Sequence, residues 1–337
     1  MSNLPNHFLS HSVKMHPSQV LFQDQEQPTF LPVCDHYAGS EKLMHKSMSL
    51  QNALGAVFDI TFDCEDGAAA GNEVAHAKLV GNLIASESNY LQRIGVRLHD
   101  VNSPYFEQDI DLIAPVAAEK IAYWVLPKVD GVEQVIKAIQ KINQYATSSR
   151  QSPAPIHVLI ETHGALANAH QIAALPQVEC LSFGIMDFIS AHYGAIPSSA
   201  MRSPGQFTHP LVMRAKLEIA AACHRFGKVA SHNVTTEIKD TAIVAGDANR
   251  AGIECGYTRM WSIHPDQIKP IVKALSPRTA EINEAITILI EAQQNDWGPI
   301  QINGRLHDRA SYRYYWTLLK KAQRCQLALP DSALILL

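Results

Sequence analysis

The sequence predicts an α/β protein built on a (β/α)8 TIM barrel. Eight short apolar segments, rich in β-branched residues, alternate along the 337-residue chain with segments of helical periodicity. Buried parallel strands are near-continuous apolar runs, and their alternation with helices predicts a parallel sheet with crossover helices. Most of these segments end in an ionisable residue. The strand ends are therefore expected to share one solvent-filled mouth, where such a barrel carries its chemistry.

The strand predictions follow the apolar runs in order. The first is Thr29–Cys34, and the other seven end near residues 62, 98, 126, 160, 184, 231 and 263. The ionisable residues at or just beyond these ends are Asp63, Glu65, Asp66, Arg97, Lys128, Glu161, Asp187, His232 and His264.

Helical periodicity is clear in three segments. Apolar residues fall on one face of Gly131–Tyr145 and of Leu211–Phe226, and a glycine follows the second segment at a C-cap position. A later helix is predicted at Thr279–Gln294, and Asn303-Gly304 beyond it predicts a tight hairpin turn. We therefore expect an N-terminal extension at 1–27, a barrel catalytic domain at 28–290, and a C-terminal helix and hairpin extension at 291–337 that acts as a lid or oligomerisation segment.

Composition excludes several classes of function. A formal charge of -4 argues against a nucleic-acid surface or a polybasic membrane face. No run reaches membrane-spanning length, and the first residues lack the apolar core of a signal peptide. Six scattered cysteines without a CxxC pair favour reduced thiols over disulfides or a zinc site. These features predict a cytoplasmic protein without nucleic-acid or membrane partners.

Two acidic residues are candidates for a metal site. Glu161 closes HVLIE and Asp187 closes SFGIMD, on neighbouring strands of the predicted barrel. Two carboxylates without His or Cys in ligand spacing suit a hard ion such as Mg2+, or Mn2+, which keeps positions open for substrate oxygens. In the alternative reading, each acid caps the following helix or pairs with Arg97 or Lys128.

The basic residues also have two readings. Arg97 in GVRLHD is the best candidate for binding a substrate carboxylate, since a guanidinium grips it at two points. The alternative is a buried ion pair with a neighbouring strand-end acid. Lys128 is expected to be an electrostatic or structural partner, because nearby acids oppose the lowered pKa that a Schiff-base lysine needs.

Asp63, Glu65 and Asp66 form an acidic cluster before a glycine. They either support metal-bound water or cap a helix and line a solvated loop. Among the histidines, His232 and His264 occupy strand ends and are expected to be positioning groups rather than metal ligands.

Several ordered motifs resemble one family. FDCEDG, GVRLHD, LPKV, LIETHGAL, FGIMD and WSIHPDQI are similar in order and separation to the citrate lyase β-subunit-like and malyl-CoA lyase branch of the HpcH/HpaI aldolase superfamily. The resemblance covers roughly residues 28 to 325. It implies a Mg2+-dependent carbon–carbon lyase in which Glu161 and Asp187 hold the ion, Arg97 grips the substrate carboxylate, and Glu65, Asp66 and Lys128 lie just behind the metal site.

The resemblance extends to the C-terminal segment. NGRLHD is similar to a segment of malyl-CoA lyases whose last aspartate reaches a neighbouring subunit's active site as general acid/base, so Asp308 is implied as catalytic and a homotrimer or homohexamer is expected. The alternative for Asp308 is a surface hairpin residue.

Two departures bear on the substrate. PTFLPVCDHYAG lacks the arginine that the family carries for coenzyme A, and SHNVTTEIKD replaces its usual loop. The expected reaction cleaves or forms a 3-hydroxyacyl-CoA or a free 3-hydroxy acid, with a 2-oxo acid such as oxaloacetate, glyoxylate or pyruvate as one product. An acyl-CoA thioesterase on the same scaffold and a non-catalytic dicarboxylate-binding protein remain the alternatives.

Overall fold

The structure is a computed structural model that describes residues 14–22, 28–145 and 152–337. The chain divides into two compact units. The larger unit comprises residues 28–276 and 324–326, and the smaller comprises 277–323, 327–337 and the described part of 1–27.

The larger unit is a closed barrel of eight parallel strands in sequence order, which confirms the predicted fold. The strands are β1 Cys34–Ala38, β2 Phe58–Asp63, β3 Ile94–Arg97, β4 Ile121–Leu126, β5 Ile156–Ile160, β6 Val178–Phe183, β7 Val229–His232 and β8 Arg259–Ser262. Their residues are almost all buried, as expected of strands that the helices cover on the outside.

The helices of this unit connect the strands. They are α2 Glu41–Leu54, α3 Glu73–Ala85, α4 Phe106–Ala117, α5 Val132–Asn143, α6 His163–Ala167, α7 Ala169–Ala173, α8 Ile185–Ser190, α9 Pro210–Arg225, α10 Thr241–Cys255 and α11 Pro265–Leu275, where α1 precedes the barrel at Pro17–Val20. The predicted helices at 131–145 and 211–226 are confirmed as α5 and α9. Gly227 after α9 has the left-handed φ of 63° expected at a helix C-terminus.

Seven of the eight strands end within one residue of the predicted position, but the prediction for β1 was wrong. The predicted strand Thr29–Cys34 precedes the observed one, which begins at Cys34. Pro32 lies in the predicted segment and has no N–H to donate to a neighbouring strand, so ladder pairing starts only after it. This shift places Asp35 and Tyr37 on the strand.

A network of buried charges fills the barrel interior. The fully buried Arg259 on β8 contacts Asp59 on β2 at 2.6 Å and Asp35 on β1 at 3.0 Å. Asp59 also accepts a 2.6 Å hydrogen bond from Arg93, and the hydroxyl of Tyr123 donates to Asp35 at 3.0 Å. The two positive and two negative groups balance, which is the condition for burying them without leaving an uncompensated charge.

The smaller unit has its own apolar core, built on α1, α12 Thr279–Gln294, α13 Arg309–Arg324 and α14 Asp331–Leu334. The hairpin β9 Ile300–Ile302 and β10 Arg305–His307 is antiparallel, and the positive φ of Asn303 (50°) and Gly304 (76°) confirms the predicted turn. The barrel domain was expected to reach residue 290, whereas α12 clusters with the smaller unit because its apolar face packs in that core.

Two expectations from composition can be compared with the described residues. Within them, no helix is long and apolar enough to cross a membrane. All six cysteines are buried and free, as predicted from their spacing.

The interior network yields a stability prediction. Replacing Arg259 by Gln leaves the carboxylates of Asp35 and Asp59 buried without their shared cation, so we expect the free energy of unfolding to fall by about 3–5 kcal/mol in urea titration. The matched control is Arg214→Gln, which removes an exposed pair with Glu218 and should cost less than about 1 kcal/mol. Equal losses in the two variants would show that the buried network contributes no more than a surface pair.

Candidate active site

Arg97 is held at the mouth of the barrel by two acids. Its Nε and Nη2 atoms donate to the two carboxylate oxygens of Asp63 at 2.7 and 2.5 Å, and its Nη1 lies 3.2 Å from Glu65. Burial disfavours the charged guanidinium, but the two carboxylates outweigh that cost and raise the pKa of Arg97. The buried ion pair considered as the alternative for Arg97 is therefore present, with one edge of the guanidinium committed to Asp63.

Glu65 joins this pair to a second cation. Its other oxygen accepts a hydrogen bond from the ammonium of Lys128, which also donates to Asp66 at 2.9 Å. Burial raises the pKa of Glu65 although both cations oppose the rise. Hydrogen bonds to Glu65 and Asp66 outweigh the burial of Lys128 and raise its pKa, which suits the predicted electrostatic partner and not a Schiff-base amine.

Asp63 is itself held by its own loop. The backbone N–H groups of Glu65 and Gly67 donate to its oxygens at 3.0 and 2.8 Å. A Cβ on Gly67 would lie 2.2 Å from Asp63, so the glycine of the FDCEDG motif is required by this close approach. Since α3 begins only at Glu73, none of the three clustered acids caps that helix.

Glu161 at the end of β5 is fixed from two sides. The backbone N–H of Lys128, a residue with a left-handed φ of 51°, donates to its Oε1 at 2.7 Å. On the other side, a Cβ on Gly184 would lie 2.1 Å from Oε2. The glycine of FGIMD therefore leaves room for the carboxylate, and helix α8 continues directly to Asp187 in its first turn.

Glu161 and Asp187 influence each other electrostatically. Burial, followed by the charge of Asp187, raises the pKa of Glu161 to about 8, although Arg97 and the Lys128 N–H oppose the rise. The side chain of Glu161 is buried, whereas Asp187 is half-buried. Helix capping does not explain Glu161, because the cap of α6 is the hydroxyl of Thr162.

This donor set suits a hard divalent ion. Within the described ranges, no group of three or more His, Cys, Asp or Glu side chains is arranged to hold a metal. Mg2+ is commonly bound by one or two carboxylates while water or substrate oxygens fill its other positions. The buried Glu161 and the half-buried Asp187 repel each other when both are ionised, and a divalent ion held by the two carboxylates would relieve that repulsion.

The two strand-end histidines have supporting positions. His264 accepts from the N–H of Asp266 at the start of α11. His232 is fully buried; its Nδ1 donates to the carbonyl of Asn233, so its Nε2 accepts from Lys216 at 2.6 Å. Lys216 also donates to Gln206 at 2.9 Å, and burial lowers its pKa to about 7. This buried cluster connects α9 to the chain segments that follow β6 and β7.

Asp308 lies in the smaller unit and is exposed. Its carboxylate accepts from the N–H groups of Ala310 and Ser311 at 2.9 and 3.4 Å, at the start of α13. The side chain therefore has a capping position in the structure, while its catalytic role stays a prediction.

Two aromatic residues at the mouth were missed from the sequence. The ring of Tyr37 on β1 lies 5.4 Å from the guanidinium carbon of Arg97 and stacks on Trp261 of β8 at 4.7 Å. Aromatic residues in a strand are ordinarily core residues, and their contact with Arg97 depends on β1 and β8 being neighbours in the closed barrel.

A family comparison accounts for this arrangement. The model of the HpcH/HpaI aldolase/citrate lyase family matches residues 43–265, more than half of the chain and most of the barrel. The chain belongs to this family. It is thus an enzyme of the carbon–carbon lyase or aldolase type, and the resemblance read from the motifs is confirmed.

Individual relatives agree with the family. A citrate lyase subunit beta-like protein of Deinococcus radiodurans is 27% identical over 74% of this chain and 82% of its own length. A malyl-CoA/beta-methylmalyl-CoA/citramalyl-CoA lyase of Chloroflexus aurantiacus is 26% identical over 71% and 73% of the two chains.

Solved structures share the fold. A citrate lyase from Burkholderia xenovorans is 54% identical, with a TM-score of 0.85 over 96% of this chain and all of the other. Protein CitE of Mycobacterium tuberculosis, solved with magnesium, acetoacetate and coenzyme A, is 21% identical, with a TM-score of 0.67 over 88% of this chain and 98% of its own, a likeness of fold.

The pKa of Glu161 predicts a pH-dependent stability of the metal-free protein. Because the pKa is raised to about 8 in the folded state, the folded protein holds a proton that the unfolded chain releases above its ordinary pKa of 4.5. The bound proton stabilises the folded protein fully below pH 4.5, and this stabilisation is lost as the pH rises through about 8. We predict that in EDTA Glu161→Gln, which is neutral throughout, unfolds at a higher temperature than the parent protein at about pH 9 and at a similar temperature at about pH 5.

The control is Glu133→Gln, an exposed acid in the first turn of α5. The unfolding temperature of this variant should differ from that of the parent protein by a small amount that is the same at both pH values. A Glu161→Gln difference that does not change with pH would contradict the raised pKa.

Proposed function

We propose that the protein is a Mg2+-dependent oxo-acid lyase that reversibly cleaves a 3-hydroxyacyl compound to a 2-oxo acid and an acyl product. The observation that carries this proposal is the pair of Glu161 and Asp187 at one mouth, with Glu161 buried and beside Arg97. The magnesium bound by the Mycobacterium tuberculosis relative and the lyase activities named for other relatives support it.

Charge balance supports a cation at this mouth. Even without Glu161, whose raised pKa keeps it protonated in the metal-free protein, the acids Asp63, Glu65, Asp66 and Asp187 outnumber the cations Arg97 and Lys128. An anionic substrate would add to the excess negative charge. A divalent ion held by Glu161 and Asp187 would offset most of that excess before an oxo acid enters.

Each residue then has a defined task. When bound, Mg2+ polarises the oxo-acid oxygens and stabilises negative charge that develops on them. Arg97 pairs with Asp63 through Nε and Nη2 and with Glu65 through Nη1, and its remaining N–H groups orient the substrate carboxylate. Lys128 fixes Glu161 through its backbone and Glu65 through its ammonium. We assign the proton transfer to Asp308 of a neighbouring copy in a homotrimer or homohexamer.

The cavity beside the site bears on the form of the substrate. A space of about 490 Å3 adjoins Glu65 and Asp66 and is lined also by Glu73, Asp100 and Tyr105. Glu65 and Asp66 are already paired with Lys128, so the acids that disfavour phosphate groups here are Glu73 and Asp100, and two lining histidines reduce that effect. The remaining repulsion favours a free 3-hydroxy acid over a coenzyme A thioester, as does the missing arginine of the first strand segment.

The lyase proposal predicts a metal-dependent carbon–carbon cleavage. We expect malate, citramalate or citrate, or the malyl or citramalyl thioester, to yield glyoxylate, pyruvate or oxaloacetate with Mg2+ and to yield nothing with EDTA. Glu161→Gln should lower kcat/KM by about a hundredfold or more, because the ion loses its buried ligand. Glu133→Gln is the control and should leave it unchanged.

Mass spectrometry of the products separates the alternatives. Free coenzyme A without an oxo acid would indicate a thioesterase. Thermal stabilisation by oxaloacetate without turnover of any compound in the panel would indicate a binding protein.

The role of Asp308 can be tested without removing its helix cap. Asparagine caps helices as well as aspartate, so Asp308→Asn should keep the unfolding temperature while kcat falls by about a hundredfold or more. Mixing this variant with Glu161→Gln, after dissociation and reassembly, should restore part of the activity if the aspartate acts across subunits. A kcat equal to that of the parent enzyme would reject the assignment.

A further inference from the structure

One wall of the barrel mouth is aromatic. Tyr37 of β1 and Trp261 of β8 come from paired strands, and their rings stack with centroids 4.7 Å apart and planes 17° apart. Tyr37 is 8% exposed and Trp261 7%. Together with Leu159 and Val234 they belong to one buried apolar cluster, and Tyr37 faces the guanidinium of Arg97 at 5.4 Å.

Both rings carry a buried polar atom without a partner. Among the residues that the structure describes, nothing forms a hydrogen bond with the Tyr37 hydroxyl or with the Trp261 indole N–H. Tyr123 on β4 shows the contrast, because its hydroxyl bonds to Asp35 and lies 3.0 Å from the hydroxyl of Thr61. Buried donors in native proteins are almost always paired with protein, ordered water or a ligand, so these two donors at the same mouth call for an acceptor from outside the chain.

The chemistry of the two donors defines that ligand. A phenol O–H and an indole N–H are neutral donors. The residues proposed to bind the metal and the oxo-acid half, Arg97, Glu161 and Asp187, are ionisable. Neutral donors suit an oxygen that gains negative charge during the reaction. In the proposed cleavage, that oxygen belongs to the carboxylate of the acyl half in a free acid, or to the acyl carbonyl in a thioester. The broken carbon–carbon bond leaves its electron pair on the acyl half as an enolate, while the 3-hydroxyl loses its proton to a base and becomes the oxo group.

We propose that Tyr37 and Trp261 donate hydrogen bonds to the acyl-side oxygens of the substrate, while Arg97, Glu161 and Asp187 receive the oxo-acid half. This inference rests on the proposed lyase function and adds the residues that recognise the second half of the substrate. Tyr37, which stacks on Trp261, also contacts the guanidinium of Arg97, and this contact would place Arg97 next to the bond that joins the two halves of the substrate.

The test compares two probes, of which only one carries the acyl half. Pyruvate represents the oxo-acid half, and citramalate is its adduct with acetate. Their Kd values are measured by calorimetry in Mg2+ for the parent protein, Tyr37→Phe and Trp261→Phe. Each substitution removes a donor and keeps an aromatic ring. We expect the Kd of citramalate to rise about two- to tenfold in each variant while the Kd of pyruvate stays unchanged.

The unfolding temperature provides a second readout. Loss of a hydroxyl with a structural role would lower Tm, whereas loss of a hydroxyl that only binds ligand would not. Tyr37→Phe removes an unpaired hydroxyl and should leave Tm unchanged or higher. The matched variant Tyr123→Phe removes a bonded hydroxyl and should lower Tm without changing the ratio of the two Kd values.

Three results would overturn the inference. An unchanged citramalate Kd in both variants would show that the donors do not contact the ligand. Equal losses for both probes would show that the substitutions disturb the whole mouth. If in Mg2+ the parent protein binds neither this pair of probes nor the pairs glyoxylate and malate or oxaloacetate and citrate, the lyase proposal fails and this inference fails with it. Binding of a pair with unaffected variants rejects the inference alone.

Discussion

The mouth of the barrel depends on one carboxylate that is shared by two cations. Glu65 follows β2, and its oxygens reach Arg97 at the end of β3 and Lys128 beyond β4. Lys128, once placed, directs its backbone N–H to Glu161 at the end of β5. A single line of contacts thus connects four successive strand ends. Removing Glu65 would break the contact that joins the two cations, leaving Arg97 with Asp63 and Lys128 with the exposed Asp66, and would weaken the main-chain support of Glu161.

The extent to which the sequence predicts this structure differs between levels. The barrel and seven strand ends follow from apolar runs and their alternation with helices, because these patterns are local. The start of β1 did not follow, since the length and composition of TFLPV fit a strand and only the missing N–H of Pro32 argues against it. Similarly, the apolar face of Thr279–Gln294 predicted the helix correctly but carried no information about which core would bury it.

At the site, the sequence predicted where a residue lies better than it predicted which groups its side chain contacts. Arg97 had two readings because the choice between substrate and ion pair depends on how close β2 brings Asp63, which a strand end does not reveal. Lys216 shows the opposite difficulty. A lysine on an amphipathic helix is expected in solvent, yet it is buried against neutral acceptors, Gln206 and His232, in an arrangement that only the packed helix layer creates. Tyr37 and Trp261 likewise had no polar signature, since stacked aromatic rings are typical of ordinary cores.

Gly184 limits how this enzyme can change over evolution. The carboxylate of Glu161 occupies the space that a side chain at Gly184 would need, so even alanine there would push that acid out of position. Position 184 therefore has to remain glycine for Glu161 to keep its place. A substitution that changes selectivity without crowding Glu161 therefore has to lie elsewhere at the mouth, for example at the ends of β1 and β8.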